Sequence, residues 1–250
     1  MVAISVPGLG SFLHDYPLMA LRPSRTRGCL LRGCFKFVAH TPTHEAREEA
    51  FDLEIEVPPG FPKALPRVTE TGGRIPRHGD YHVNSDGTLC LGSPLRLLLK
   101  LSNAPTLQGF ASSCLVPYLF AISHKLRNGG PLLFGELAHE TPGLIADYLD
   151  LFQLRRPEQV TEVLRALGIK KRRANKLPCP CGCGVRLGRC KFNARIRGFR
   201  TLANRSWFRH QHHWILESLR LLRSRTPGSP PRFAPALSQL QTARRKLAAT

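Results

Sequence analysis

The stretch AFDLEIEVPPGFPKALPRV, Ala50 to Val68, decides how the first half of the chain is read. Its opening alternates: Phe51, Leu53, Ile55 and Val57 fall on one side, Asp52, Glu54 and Glu56 on the other. A period of two with one acidic face describes an antiparallel strand, packed on one side and wet on the other. From Pro58 onward four prolines fall within eleven residues. Proline fixes φ and pushes its predecessor out of helical space, so this segment runs extended. Upstream, GCLLRGCFKFVAH (Gly28 to His40) is rich in β-formers, and the polar HTPTHEAREE between the two is read as a hairpin loop. Downstream, RVTETGGRIP predicts a third strand and a turn, and HVNSDGTLCLGSP (His82 to Pro94) predicts a loop built on an Asp-Gly turn.

Beyond the loop the period lengthens. TLQGFASSCLVPYLFAISHKL (Thr106 to Leu126) carries an apolar helical pattern interrupted by Pro117, with Cys114 in its core face. A second helix starts near Thr141 and aligns Leu144, Ile145, Tyr148 and Phe152 on one stripe. PEQVTEVLRALG opens on Pro157 and closes on Gly168, a well-punctuated short helix. IKKRRANK reads as a basic linker. In the helical pattern from Arg205 to Arg225, Trp207, Trp214 and Leu221 recur along one side, with Phe208, Ile215 and Leu222 beside them. The two tryptophans are expected to pack that helix down, and His210 and His213 to face solvent. TPGSPPRFAPA then breaks the pattern before a short basic tail whose end is expected to be disordered.

Charge divides the chain. Residues 1–150 hold 14 basic and 14 acidic side chains, whereas the last hundred hold 23 basic residues and only Glu158, Glu162 and Glu217. The whole net charge of +20 therefore lies in the C-terminal part. Such asymmetry indicates two units with different jobs, the second suited to an anionic partner such as nucleic acid or the ribosome. No basic leader followed by an apolar run opens the sequence, and no apolar run reaches the length of a membrane span. A cytoplasmic location without membrane attachment is expected, with reduced thiols.

Cys90 lies between Leu89 and Leu91 in the turn-bearing loop. Taken alone, a cysteine between leucines reads as a small buried hydrophobe. The order of its surroundings gives a different reading. A strand, a polar hairpin, a second strand, a proline segment, His82-x-Asn84, a glycine turn and GTLCL resemble the ubiquitin-conjugating enzymes over about residues 25–155. The compact HVNSDGTLCLG form looks more like bacterial relatives of that family, found beside activating enzymes and ubiquitin-like modifiers. Two features depart from the pattern: Val83 stands where the family has proline, and only six positions separate Asn84 from Cys90. The resemblance implies that Cys90 is a nucleophile carrying a modifier as a thioester. It offers Asn84 or His82 as the supporting group, and leaves open which. Asp86 is a weaker candidate for orienting an incoming amine, and His139, within GELAHE, a weaker candidate base, ranked above His124.

KLPCPCGCGVRLGRCKF sets Cys179, Cys181, Cys183 and Cys190 within twelve residues. Four soft ligands among glycines suit tetrahedral Zn2+ in a closed, structural site. The pattern resembles the SEC-C motif, onto which Cys179, Cys181 and Cys190 map. Lys191 stands where that motif has its fourth ligand, and Cys183 is the candidate replacement. Cys29 and Cys34, at odd spacing on a strand, point to opposite faces and do not share a metal.

The expected fold is α+β: a ubiquitin-conjugating-enzyme-like antiparallel sheet with flanking helices over 1–155, and a helix and basic linker over 156–178. A zinc motif over 179–192 and a basic helical tail over 193–250 complete it. The resemblance implies a transferase that accepts a modifier from an activating enzyme and passes it to an amine on a target protein. The competing expectation is a catalytically silent adaptor whose zinc-bearing basic half binds nucleic acid, ribosome or protein. A thiol hydrolase would need a firm Cys–His pair.

Overall fold

The computed structural model describes residues 6–24, 27–41, 44–133 and 140–225. The chain forms two compact units, Met1–Glu136 and Leu137–Thr250.

The first unit opens with helix α1 (Leu9–Asp15) and continues into four strands: β1 (Met19–Arg22), β2 (Cys29–Thr41), β3 (His44–Val57) and β4 (Arg67–Glu70). They form an antiparallel sheet in the order β1-β2-β3-β4. The alternation read in the sequence sets the sheet's two faces: Phe51, Leu53, Ile55 and Val57 are buried, together with Leu31, Phe35 and Phe37 of β2. α1 lays Phe12 and Tyr16 on this face, and the Tyr16 ring stacks on Phe35 with centroids 4.2 Å apart. The polar segment expected to be a loop is mostly ladder instead. Ala39 pairs with Arg47, Val38 with Glu48 and Phe37 with Glu49, so the hairpin extends well past the apolar residues. Polar side chains at alternate positions are compatible with a strand whose outer face is wet, which is why polarity alone misplaced the turn.

Glu49 is the exception on β3, a buried carboxylate. Arg74 reaches it at 2.7 Å while lying 4.3 Å over the Phe51 ring, and Arg127 pairs with it as well. Beyond β4, Glu70 accepts the main-chain N–H groups of Gly72, Gly73, Arg74 and Ile75, folding the chain sharply back. A 3-10 turn (Gly79–Tyr81) precedes the cysteine loop, and α2 (Pro94–Leu101) follows it. Then come α3 (Leu107–Phe110), a π-turn (Ala111–Leu115) and α4 (Val116–Asn128), one apolar rod in which Pro117 sits just after the π-turn. The wide turn lets the helix pass a residue that has no N–H to donate, so Pro117 does not end the expected helix.

The second unit is helical. It contains α5 (Glu140–Phe152), α6 (Pro157–Leu167), α7 (Lys171–Ala174), a 3-10 turn (Leu187–Arg189), α8 (Phe192–Arg197), α9 (Phe199–Leu202) and α10 (Arg205–Arg225). Ile145, Tyr148 and Phe152 of α5 and Val160, Val163, Leu164 and Leu167 of α6 are buried in it. α5 therefore belongs with α6 and α10, whereas the sequence reading grouped it with the sheet. The segment read as a basic linker forms α7, whose Ala174 is fully buried. The C-terminus of α6 is closed by two arginines. Arg200 donates to the carbonyls of Ala166, Leu167 and Ile169, and Arg209 to that of Gly168. Cations suit this end of a helix, where unpaired carbonyls concentrate negative charge.

On α10 the packing differs from expectation. Phe208 and Ile215 are the buried residues, at 1% and 0% exposure, while Trp214 and Leu221 are 43% and 60% exposed. Among the described residues no helix is long and apolar enough to cross a membrane.

Candidate active site and metal centre

The loop from His82 to Cys90 is a miniature hairpin. Val83 bridges Leu89, the Asn84 N–H donates to the Thr88 carbonyl at 2.8 Å, and the Cys90 N–H donates to the His82 carbonyl at 2.7 Å. His82 therefore lies across from Cys90, and Asn84 across from Thr88. The hairpin is fastened to the sheet through Thr69, which bridges Thr88, and through the Leu89 N–H, which donates to the Val68 carbonyl at 2.8 Å. Leu89 is buried and Leu91 packs against the same core, so the two leucines hold a half-buried Cys90 between them.

Three polar residues of the loop, Asn84, Asp86 and Thr88, are bonded to one another or to the sheet. The Asn84 side-chain amide donates to the Thr88 hydroxyl at 2.9 Å. Asp86 Oδ1 accepts the Thr88 hydroxyl at 2.6 Å and the Thr88 N–H at 3.0 Å, and Oδ2 meets Arg67 at 2.9 Å. These Thr88 bonds, with the Arg67 charge behind them, hold the Asp86 carboxyl below its ordinary value. Asn84 and Asp86 are thus engaged in shaping the turn. Gly87, at φ 82°, supplies the left-handed residue the turn requires. His82 is itself left-handed, at φ 51°, where the 3-10 turn feeds the hairpin.

Two residues that sequence reasoning passed over secure this loop from α4. The buried Tyr118 hydroxyl donates to the Tyr81 carbonyl at 2.8 Å and lies 3.4 Å from that of His82. Burial, then the charges of Cys90 and Glu70, push its phenol well above the ordinary value, so it stays a donor at neutral pH. Two turns further along, Lys125 donates to the Asp80 carbonyl at 2.9 Å with its ammonium 5.5 Å over the Tyr81 ring. The apolar helical stripe marks Tyr118 as core; nothing in the sequence alone marks its hydroxyl as a clasp. His124 is half-buried on α4, and His139 lies outside the described residues.

In the second unit the four clustered cysteines converge. All four sulfurs lie within 4.8 Å of one another. Cys179 and Cys181 are 3.2 Å apart, Cys181 and Cys190 3.7 Å, and Cys183 and Cys190 3.6 Å. A tetrahedron with metal–sulfur bonds of about 2.3 Å needs sulfurs about 3.8 Å apart, so the set is close enough to hold one metal ion, Cys183 included. A short ladder shapes it: Cys179 N–H donates to Val185 O and Leu187 N–H to Leu177 O, both at 2.9 Å. Gly182 and Gly184, at φ 83° and 80°, turn the chain between ligands. Burial pushes the Cys179 thiol up, while the Val185 N–H, ahead of the neighbouring thiols, draws the exposed Cys183 thiol down to about 7. His210 and His213 are exposed on α10, and among the described residues the four cysteines are the group arranged for a metal.

No family model, curated protein or solved structure matches this chain.

Proposed function

We propose that the first unit is a ubiquitin-conjugating-like transferase with Cys90 as its nucleophile. The observation that carries the reading is the hairpin that holds Cys90 half-buried, opposite His82, between a four-stranded antiparallel meander and α2. A bare buried thiol would need no such turn, nor the three separate anchors from Val68, Thr69 and Tyr118.

In this reading the Cys90 thiolate attacks the carbonyl carbon of a modifier's C-terminal thioester on an activating enzyme. A new C–S bond forms, the old one breaks, and the activating enzyme's thiolate departs. A target amine then attacks the same carbonyl, the C–N bond forms, Cys90 leaves as thiolate, and the amine's proton passes to solvent or a base. The protein displays the sulfur and steadies the tetrahedral oxyanion. His82 is the favoured supporting group, because it lies directly across the hairpin from Cys90 whereas Asn84 lies across from Thr88. Zn2+ is the proposed occupant of the four-cysteine site, where it would lock a segment too short to build its own core.

The test mixes full-length protein with its cognate activating enzyme, modifier and ATP, and separates the products with and without reducing agent. A thiol-sensitive adduct on the wild type that disappears in Cys90→Ala is expected. No adduct on the wild type, or an undiminished one on Cys90→Ala, sinks the enzyme reading and favours the silent adaptor.

A further inference from the structure

Between Glu162 and Glu217 the chain contains no Asp or Glu and fourteen Lys or Arg. Arg200 and Arg209 are engaged with the carbonyls at the end of α6. Others are exposed on segments that lie side by side. Lys171, Arg172 and Arg173 on α7, Lys176 after it, Arg189 in the 3-10 turn and Lys191 before α8 are all exposed. Asn175 joins the pieces that carry them. Its carbonyl accepts the Gly188 N–H at 3.0 Å, and its side-chain oxygen accepts the Asn193 amide at 3.3 Å. The approach is so close that a Cβ on Gly188 would sit 2.9 Å from Asn175 Cβ. The segments that carry the cationic residues are therefore brought together by the fold around Asn175.

From this we infer that α7, the cysteine-bearing ladder and the start of α8 form a docking face for a nucleic acid strand, held by its phosphates without reading base sequence. Charge complementarity with a polyanion carries the inference. The character of the face also distinguishes among polyanions. A protein partner would be met by an apolar centre, and an anionic membrane by an amphipathic helix with a greasy side. Between residues 163 and 213, Val185 is the only exposed large apolar side chain among the described residues. A face with many cations and almost no apolar centre suits a backbone of evenly spaced phosphates, where affinity comes from counterion release. This inference does not depend on the reading of Cys90.

Fluorescence anisotropy of the full chain with a labelled single-stranded RNA, and with DNA of the same sequence, tests it across a salt series. Binding is expected to weaken steeply with salt. The variant Arg172→Gln/Arg173→Gln/Lys176→Gln is expected to lose at least tenfold in affinity and to flatten the log–log salt slope by about 2, three contacts at about 0.7 each. Far-UV circular dichroism and bound-metal content verify that the variant is folded. Arg22→Gln/Arg32→Gln/Lys63→Gln removes equal charge from exposed positions of the first unit and is expected to bind like the wild type. Equal losses in the two triple variants, or no RNA or DNA binding at low salt, overturn the inference. Tighter binding of a polyglutamate peptide or of phosphatidylserine vesicles than of either nucleic acid at matched salt overturns it too.

Discussion

Tyr118 reaches from α4 into the cysteine loop with a single hydroxyl, and two consecutive carbonyls face it. Removing that hydroxyl leaves the ring in place and strips the carbonyls of their donor. A buried hydrogen bond of this kind is worth about 1 kcal/mol net, so Tyr118→Phe is expected to lower unfolding stability by about that amount in a urea titration. Adduct formation on Cys90 is expected to slow as well, because the loop loses its clasp from below. An unchanged urea midpoint would show that the hydroxyl holds nothing. At this scale the sequence was only partly readable. It marked Cys90, and it counted six positions back to Asn84, but it did not give the register of the hairpin. That register depends on how many residues the turn consumes, and here the turn sets His82, not Asn84, opposite the cysteine.

Among the elements, the helical rod from Leu107 depends on a glycine where helix propensity would ask for something else. In an ordinary helix interior Gly→Ala stabilises by about 1 kcal/mol. At Gly109 a Cβ would collide with the carbonyl oxygen of Ala104 and lie 2.7 Å from its Cβ. The obstacle is backbone, which cannot swing aside, and overpacking of this kind costs about 1–3 kcal/mol. Gly109→Ala is therefore expected to lower the thermal midpoint, reversing the sign that propensity gives; a raised midpoint would refute the collision. The strand from Phe51 to Val57 was legible because alternation over seven residues admits one orientation against a core. On α10 the stripes Trp207-Trp214-Leu221 and Phe208-Ile215-Leu222 are equally apolar and one residue apart. Only the packing decides between them: α10 lies chiefly against α6, and Phe208 and Ile215 are the ones buried. α2 was missed for another reason: it spans only Pro94–Leu101, too short for its period to stand out beside the loop.

For the whole molecule, the division into two units predicts that they unfold separately, because only the second contains the four-cysteine site. Chelation of the proposed zinc is expected to raise hydrogen exchange at the ladder amides of Cys179 and Leu187 while β2 and β3 keep their protection. Loss of protection in both units together, or in neither, would contradict that division of labour. The cysteine spacing made this site legible in advance, since four ligands within twelve residues have few ways to be far apart. What spacing did not reveal is how the second unit manages its charge. Arg200 and Arg209 donate to main-chain carbonyls at the negative end of α6. Salt screens exposed cations far more than part-buried hydrogen bonds. Ionic strength that strips a polyanion from the outer face should thus leave the helices standing, so that binding and folding answer to different solvent variables in the same fifty residues.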